Sequence, residues 1–243
     1  MSPAAITAHV KALEARLGVT LFAREAQRVR LTEAGRRVLP ALTAAFDAMA
    51  EASAALRQEA VPLALSIATL PSIAQLWLRP RLAALEAAMP GLAVSITAME
   101  APPTTRRDAT DIALFMGPGG RDVLVPVAAP GCGTAPRLGD ATWTRDWTLW
   151  QAGAPETWPP GKGTGPVHSL YALAVEDALR GRGVLMARLS LLGPLLDEGR
   201  LVELGPRVRL AEGLEVTARS ARPAVARAAR WLAAQMDAGH GGG

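Results

Sequence analysis

The chain has 243 residues, half of them apolar and a fifth charged, which excludes intrinsic disorder and gives room for one large domain or two small ones. It holds no run of about 18 uncharged apolar residues, and its start lacks the charged-then-apolar layout of a signal peptide, so a cytoplasmic protein without membrane contact is expected. One cysteine, Cys132, excludes an internal disulfide and a cysteine-based zinc cluster, and the net charge of +4 is confined to residues 1–40, with seven basic and three acidic groups. A basic terminal segment on a neutral remainder points to nucleic acid, although an arginine- and alanine-rich composition from GC-rich coding DNA gives the same excess.

In chain order, Ser2 and Pro3 read as the N-cap and first residue of a helix. Ile6, Val10, Leu13 and Leu17 give it an apolar stripe, and Gly18 ends it. Arg24–Arg30 is polar and basic, and Val29–Leu31 reads as one arm of a small hairpin. Thr32 caps a long helix from Glu33 to about Glu59, on which Leu39, Leu42, Phe46, Met49, Ser53 and Leu56 follow heptad spacing. That seam either pairs two subunits or packs on its own domain, and Ser53 interrupts it.

From Pro62 the pattern becomes strand, helix, strand: an alternating strand at 63–68, a helix at 71–88 kinked at Pro80, and strands at 92–97 and 111–115. This order implies a parallel βαβ unit and an α/β domain. Residues 116–166 are rich in Gly and Pro, and only 124–128 reads as a strand. Further on, the spacing predicts helices at 169–180, 191–198 and 223–236, strands at 184–187 and 214–219, and an extended stretch at 201–204. Residues 239–243 form a tail without folding content.

Several strings are specific in order and spacing: Ser2–Glu14, Leu17–Phe22, Arg24, and Leu31-Thr32-Glu33-Ala34-Gly35. They resemble the LysR-type transcriptional regulators, matching the recognition helix, basic wing and start of the linker helix of a winged helix-turn-helix. Ala68–Ala74, Trp77–Leu82, Asp111-Ile112-Ala113 and Gly181–Val184 are similar to the family's effector domain, especially in its glycine-cleavage-activator branch. The resemblance implies a partial winged helix-turn-helix at 1–32, a linker and dimerisation helix at 33–59, and an effector-binding domain at 62–238. That last domain would have two subdomains, as in periplasmic binding proteins: 62–127 with 207–238, and 128–206. It also implies operator DNA, a small-molecule effector and a homodimer or homotetramer as partners.

On the recognition helix and wing, Ser2, Pro3, Thr7, His9 and Lys11, with Arg28 and Arg30, are the candidate DNA contacts. Ala8 stands where the family has a long polar residue and offers only a methyl contact. The chain starts one residue before the recognition helix, so the expectation is an N-terminally truncated regulator or a mis-assigned start, with weak operator binding. The alternative is a ligand-binding and dimerising module that has lost DNA binding.

Ser72 and Gln75 have the spacing of a capping box after the first strand, and a helix N-terminus there suits a carboxylate or amino acid effector. Thr69 and Ser72 are thus candidate effector contacts, though Ser72 also serves as a cap. Thr97, Met99 and Phe115 follow the next strands, Phe115 being equally a core residue. His168 and Ser169 would open a helix facing the same cleft. An enzyme is not expected: His168 beside Ser169 makes no triad, and no G-x-S-x-G turn is present. The three histidines lack metal-ligand spacing, so neither metal nor cofactor is expected. Gly117–Gly120 and Gly161–Gly165 read as flexible loops without the spacing of a phosphate loop, and Cys132 as a quiet loop thiol.

Overall fold

The computed structural model describes residues 3–25, 28–60, 63–104, 110–154 and 163–238. Two compact units divide the chain, one up to Leu56 and one from Arg57 onward. In the first, helix α1 (Pro3–Leu17) is followed by an antiparallel hairpin, β1 (Phe22–Glu25) and β2 (Arg28–Leu31), in which Phe22 faces Leu31. Helix α2 (Glu33–Ala60) begins where Thr32 was expected to cap it: the Thr32 Oγ1 accepts the Gly35 N–H at 3.0 Å. The apolar stripe of α1 forms, but Ile6, Leu13 and Leu17 are exposed. Leu39, Leu42, Phe46, Met49 and Leu56 on α2 are exposed as well. Ser2 and the tail at 239–243 lie outside the described residues.

The second unit contains two main sheets. In one, β3 (Ala64–Thr69) runs parallel to β4 (Ala93–Ala98) and to β5 (Ile112–Gly117), as the βαβ reading requires, and β12 (Gly213–Ala218) lies antiparallel on β5. Because β3 is central, Leu65, Ile67 and Ala68 are all buried. Asp111 fixes its register: its carboxylate accepts the Ser66 backbone N–H and hydroxyl, each at 2.9 Å, and pairs with Arg222 at 2.7 Å. Arg222 also donates to the Ala64 carbonyl, which ties β3 to the start of helix α8 (Pro223–Ala238).

The helical stretch after β3 is broken at the expected proline. It runs as α3 (Pro71–Ile73), a wide π turn (Ala74–Leu78), a tight 3-10 turn (Arg79–Arg81) and α4 (Leu82–Ala88). Pro80 has no N–H to give, so the backbone widens before it and tightens around it; the Arg79 N–H reaches back five residues to the Ala74 carbonyl. The capping box is not formed. Leu70 occupies the N-cap with no side-chain hydrogen bond, Pro71 is the first helical residue, and Ser72 lies inside the turn.

The second sheet is built around β6 (Asp122–Ala128), which pairs antiparallel with β9 (Leu185–Arg188), β10 (Val202–Glu203) and β11 (Val208–Leu210). A parallel pair, β7 (Arg137–Asp140) and β8 (Thr164–His168), joins it through a bridge between Arg137 and Val184. Helices α5 (Asp146–Gly153), α6 (Tyr171–Leu179) and α7 (Leu189–Asp197) complete the unit. The expected helix at 169–180 therefore starts at Tyr171, after His168 has ended β8. The described residues of 116–154 and 163–166 hold more regular structure than their Gly and Pro content suggests: besides β6 they form β7, α5 and the start of β8, with Trp150 packed on Leu124 and Met186. Thr164 and Gly165, read as loop, belong to β8, and Gly161 and Lys162 lie outside the described residues.

Sheet membership also differs from the expected subdomain division. Residues 122–127 and 208–210, assigned by resemblance to the first subdomain, pair in the second sheet. The chain changes sheets between Gly117 and Asp122 and again between Leu210 and Gly213. These connections pass so closely that a side chain is excluded where they cross: a methyl on Gly120 would overlap the Gly213 backbone, and one on Gly213 the Arg121 backbone. Gly213→Ala is expected to cost about 1–3 kcal/mol of stability, the range for overpacking. The check is a lowered urea midpoint with an unchanged slope.

Candidate functional site

The first unit presents a polar helix face fastened to a basic hairpin. His9 and Lys11 are exposed on α1, and Thr7 is half-buried on the same helix. Pro3 begins α1, and Arg28 and Arg30 lie on β2, with Arg30 exposed. Two contacts that the pattern did not reveal lock this arrangement. The Glu14 carboxylate accepts the N–H groups of Leu21 and Phe22 at 2.7 and 3.0 Å, joining α1 to β1. The Thr32 hydroxyl donates to the Thr20 carbonyl at 2.8 Å while it caps α2. Gly35 lets α2 pass over the hairpin, since a methyl there would overlap the Leu21 carbonyl. A single helix read alone gives no signal for such long-range caps.

In the second unit, several candidate effector contacts gather at one edge. Thr69 ends β3, and in the sheet it faces Ala98 of β4 and Leu114 of β5, so Thr97 and Met99 lie at the end of β4 and Phe115 on β5 one residue beyond the end of β3. This is the edge where α/β sheets bind ligands. The side chains differ in what they can do. Thr69 is fully buried and its hydroxyl proton is committed to the Leu114 carbonyl at 2.7 Å, leaving it an acceptor. Ser72 is nearly buried inside the turn, where it does not serve as the helix cap. Thr97 is exposed and Met99 half-buried against the core. Phe115 is 6% exposed within the core cluster, so packing is its first role. His168 and Ser169 precede α6, which packs against α3. The His168 Nε2 lies 3.1 Å from the Asp177 Oδ2, within ion-pair range but off the geometry of a hydrogen bond. Ser169 is exposed.

The strongest electrostatic feature was not read from the sequence. Arg188, at the end of β9, is 1% exposed. Its Nε and Nη2 donate to the two Asp146 oxygens at 2.8 Å each, and Nη2 also meets Glu212 at 3.0 Å. Its guanidinium stacks 4.8 Å from the Trp143 ring, which meets Tyr171 edge-on. Burial works against the Arg188 charge, but the hydrogen bonds and charge of Asp146, then Glu212, outweigh it and hold its pKa above the usual arginine value. Burial, helped by the nearby Asp140 and Asp146 charges, raises the Tyr171 phenol well above its ordinary pKa, and its hydroxyl donates to the Met186 carbonyl at 2.9 Å.

Asp140 ends β7 nearby. Burial raises its pKa, against the pull of N–H groups from Trp143 and Thr142 and of the Arg188 charge. A carboxyl whose folded pKa exceeds its unfolded one contributes stability at acid pH and loses it as pH rises through the interval from 3.8 upward. Asp140→Asn, which keeps the acceptor oxygen but cannot ionise, is therefore expected to gain on the wild type as pH rises from the acid side to neutrality. Urea unfolding at both pH values checks this; a variant that loses ground on raising the pH is the contrary result.

Comparison with known proteins agrees with both units. Residues 1–36 match the family described as "Bacterial regulatory helix-turn-helix protein, lysR family". The chain is 30% identical over 227 residues to the glycine cleavage system transcriptional activator of Escherichia coli (strain K12), which covers 83% of this chain and 73% of that protein. Its fold is similar to the AmpR effector binding domain from Citrobacter freundii, with a TM-score of 0.57 at 20% identity over 72% of this chain and 98% of that one. It is also similar to Vibrio fischeri DarR, solved in complex with DNA, with a TM-score of 0.56 at 17% identity over 96% of this chain and 89% of that one. No described helix is long and apolar enough to cross a membrane. The chain belongs to the LysR family of bacterial transcriptional regulators, with a helix-turn-helix match in its first unit and an effector-binding domain fold in its second.

Proposed function

We propose that the first unit binds operator DNA through α1 in the major groove. Thr7 and His9, with Ser2 and Pro3 at the helix start, would meet base edges or the adjoining backbone, while Lys11, Arg28 and Arg30 hold phosphates. The observation that carries this reading is the exposed His9 and Lys11 face on a helix that Glu14 fastens to a basic hairpin, within residues matching a DNA-binding family. The exposed seam Leu39, Leu42, Phe46, Met49 and Leu56 supports pairing of two copies through α2 in a homodimer, or a homotetramer built from such pairs.

The second unit would sense a small carboxylate or amino acid at the strand-end edge, with the hydroxyl of Ser72 and the neighbouring Thr69, Thr97 and Met99 from one sheet and His168 and Ser169 from the other. An effector that binds two arrangements of the domain unequally shifts their populations, and α2 passes the shift to the DNA contacts. DNA binding is tested by fluorescence anisotropy on a mixed-sequence duplex across a salt series. Lys11→Ala is expected to weaken binding at every sequence and to reduce the slope of log K against log salt by about 0.9, one phosphate contact. An unchanged slope removes Lys11 from the interface. No binding by the unmodified chain favours instead a ligand-binding, dimerising module.

A further inference from the structure

A cavity of about 200 Å³ lies in the second unit, apart from the strand-end edge. Its walls come from both sheets' elements. Trp77 and Arg81 stand on the π and 3-10 turns after β3, Leu214 on β12, Gln235 on α8, and Leu189 and Asp197 on α7. The volume exceeds that of a cavity able to hold benzene, roughly 150 Å³, and falls below the range of drug-sized sites. It suits a molecule of a few to about ten heavy atoms.

The charge inside it is unusual. The half-buried Arg81 guanidinium lies 4.5 Å from the Trp77 ring centre and spends one N–H on the Trp77 carbonyl at 2.9 Å. It has no carboxylate partner among the described residues, whereas Arg188 and Arg222 in the same unit are both ion-paired. Burial lowers the Arg81 pKa with nothing to offset it. A half-buried cation with free donors beside an open cavity is a site for an anion. Leu189 and Leu214 supply apolar wall, and Gln235 adds an amide donor. Asp197 also lines the cavity and is exposed, so a second negative charge on the occupant would meet repulsion.

We propose that this cavity is a second small-molecule site, selective for amphipathic monocarboxylates. The carboxylate pairs with Arg81 and Gln235, and the apolar body lies against Leu189 and Leu214. Because α7 belongs with the second sheet and the other walls with the first, an occupant touches both, and its binding biases their mutual geometry. The inference stands whether or not the strand-end edge binds an effector.

Isothermal titration of the full chain with hexanoate, adipate and hexanol tests it. Hexanoate is expected to bind at least tenfold more tightly than adipate or hexanol. Arg81→Gln is expected to reduce hexanoate affinity at least tenfold, Leu189→Trp to abolish it by filling the cavity, and Asp197→Asn to narrow the gap to adipate. Ser72→Val, at the strand-end edge, is expected to leave hexanoate binding unchanged. Circular dichroism establishes that each variant is folded, and Arg81→Gln and Leu189→Trp attack opposite walls, so one of these two being folded suffices. No hexanoate binding overturns the proposal. So does undiminished binding by a folded Arg81→Gln or Leu189→Trp variant, or loss in Ser72→Val, which would place the ligand at the strand ends.

Discussion

Arg188 is the constraint around which the second sheet is organised. A guanidinium that is 1% exposed cannot be left without counter-charge, since burying an unpaired ion costs several kcal/mol. The structure meets that demand from separate parts of the chain: Asp146 at the start of α5, Glu212 just before β12, and the ring of Trp143. Tyr171 closes the arrangement, accepting the Arg188 backbone N–H at 3.3 Å. One buried cation therefore fixes where α5 begins, where α6 begins and how the chain returns toward the first sheet. Such a cluster is a source of specificity more than of net stability, because the pairing energy is largely set against desolvation.

The return path is crowded for the same reason. Glu212 must reach Arg188, and the next residue, Gly213, lies against the outward connection at Gly120 and Arg121. Asp122, the first residue past that connection, accepts the Ser190 N–H and hydroxyl at 3.0 and 2.7 Å and so holds the start of α7. The two connections between sheets are thus tied to the strand that carries Arg188 and the helix that follows it.

The first unit follows a different logic. It has little buried apolar area, with Leu21, 7% exposed, as its buried large side chain among the described residues. Its shape rests on polar caps between neighbouring elements: Glu14 to the hairpin, Thr32 to both hairpin and α2, and the bare Gly35 at the crossing. Ile6, Leu13 and Leu17 of the α1 stripe and the seam of α2 are left exposed.

What the sequence determined by itself is whatever depends on neighbours close along the chain. Helix α1 and its stripe, the Thr32 cap, the hairpin arm, the parallel β3–β4–β5 unit, the break at Pro80 and the confinement of excess charge to residues 1–40 all follow from local spacing and residue type. The family strings pointed to the same fold. The tertiary structure alone decided which groups distant in sequence share a bond. It placed β6 and β11 in the second sheet, ordered 137–154 through packing of Trp147 and Trp150, and left Ser72 uncapped because Pro71 took the first helical position. It also joined Arg188 to Asp146 across 42 residues and emptied a cavity beside Arg81. Periodicity reports which face of an element is buried; it carries no record of what the opposing element brings to that face, and ion pairs, crossings and cavities are made there.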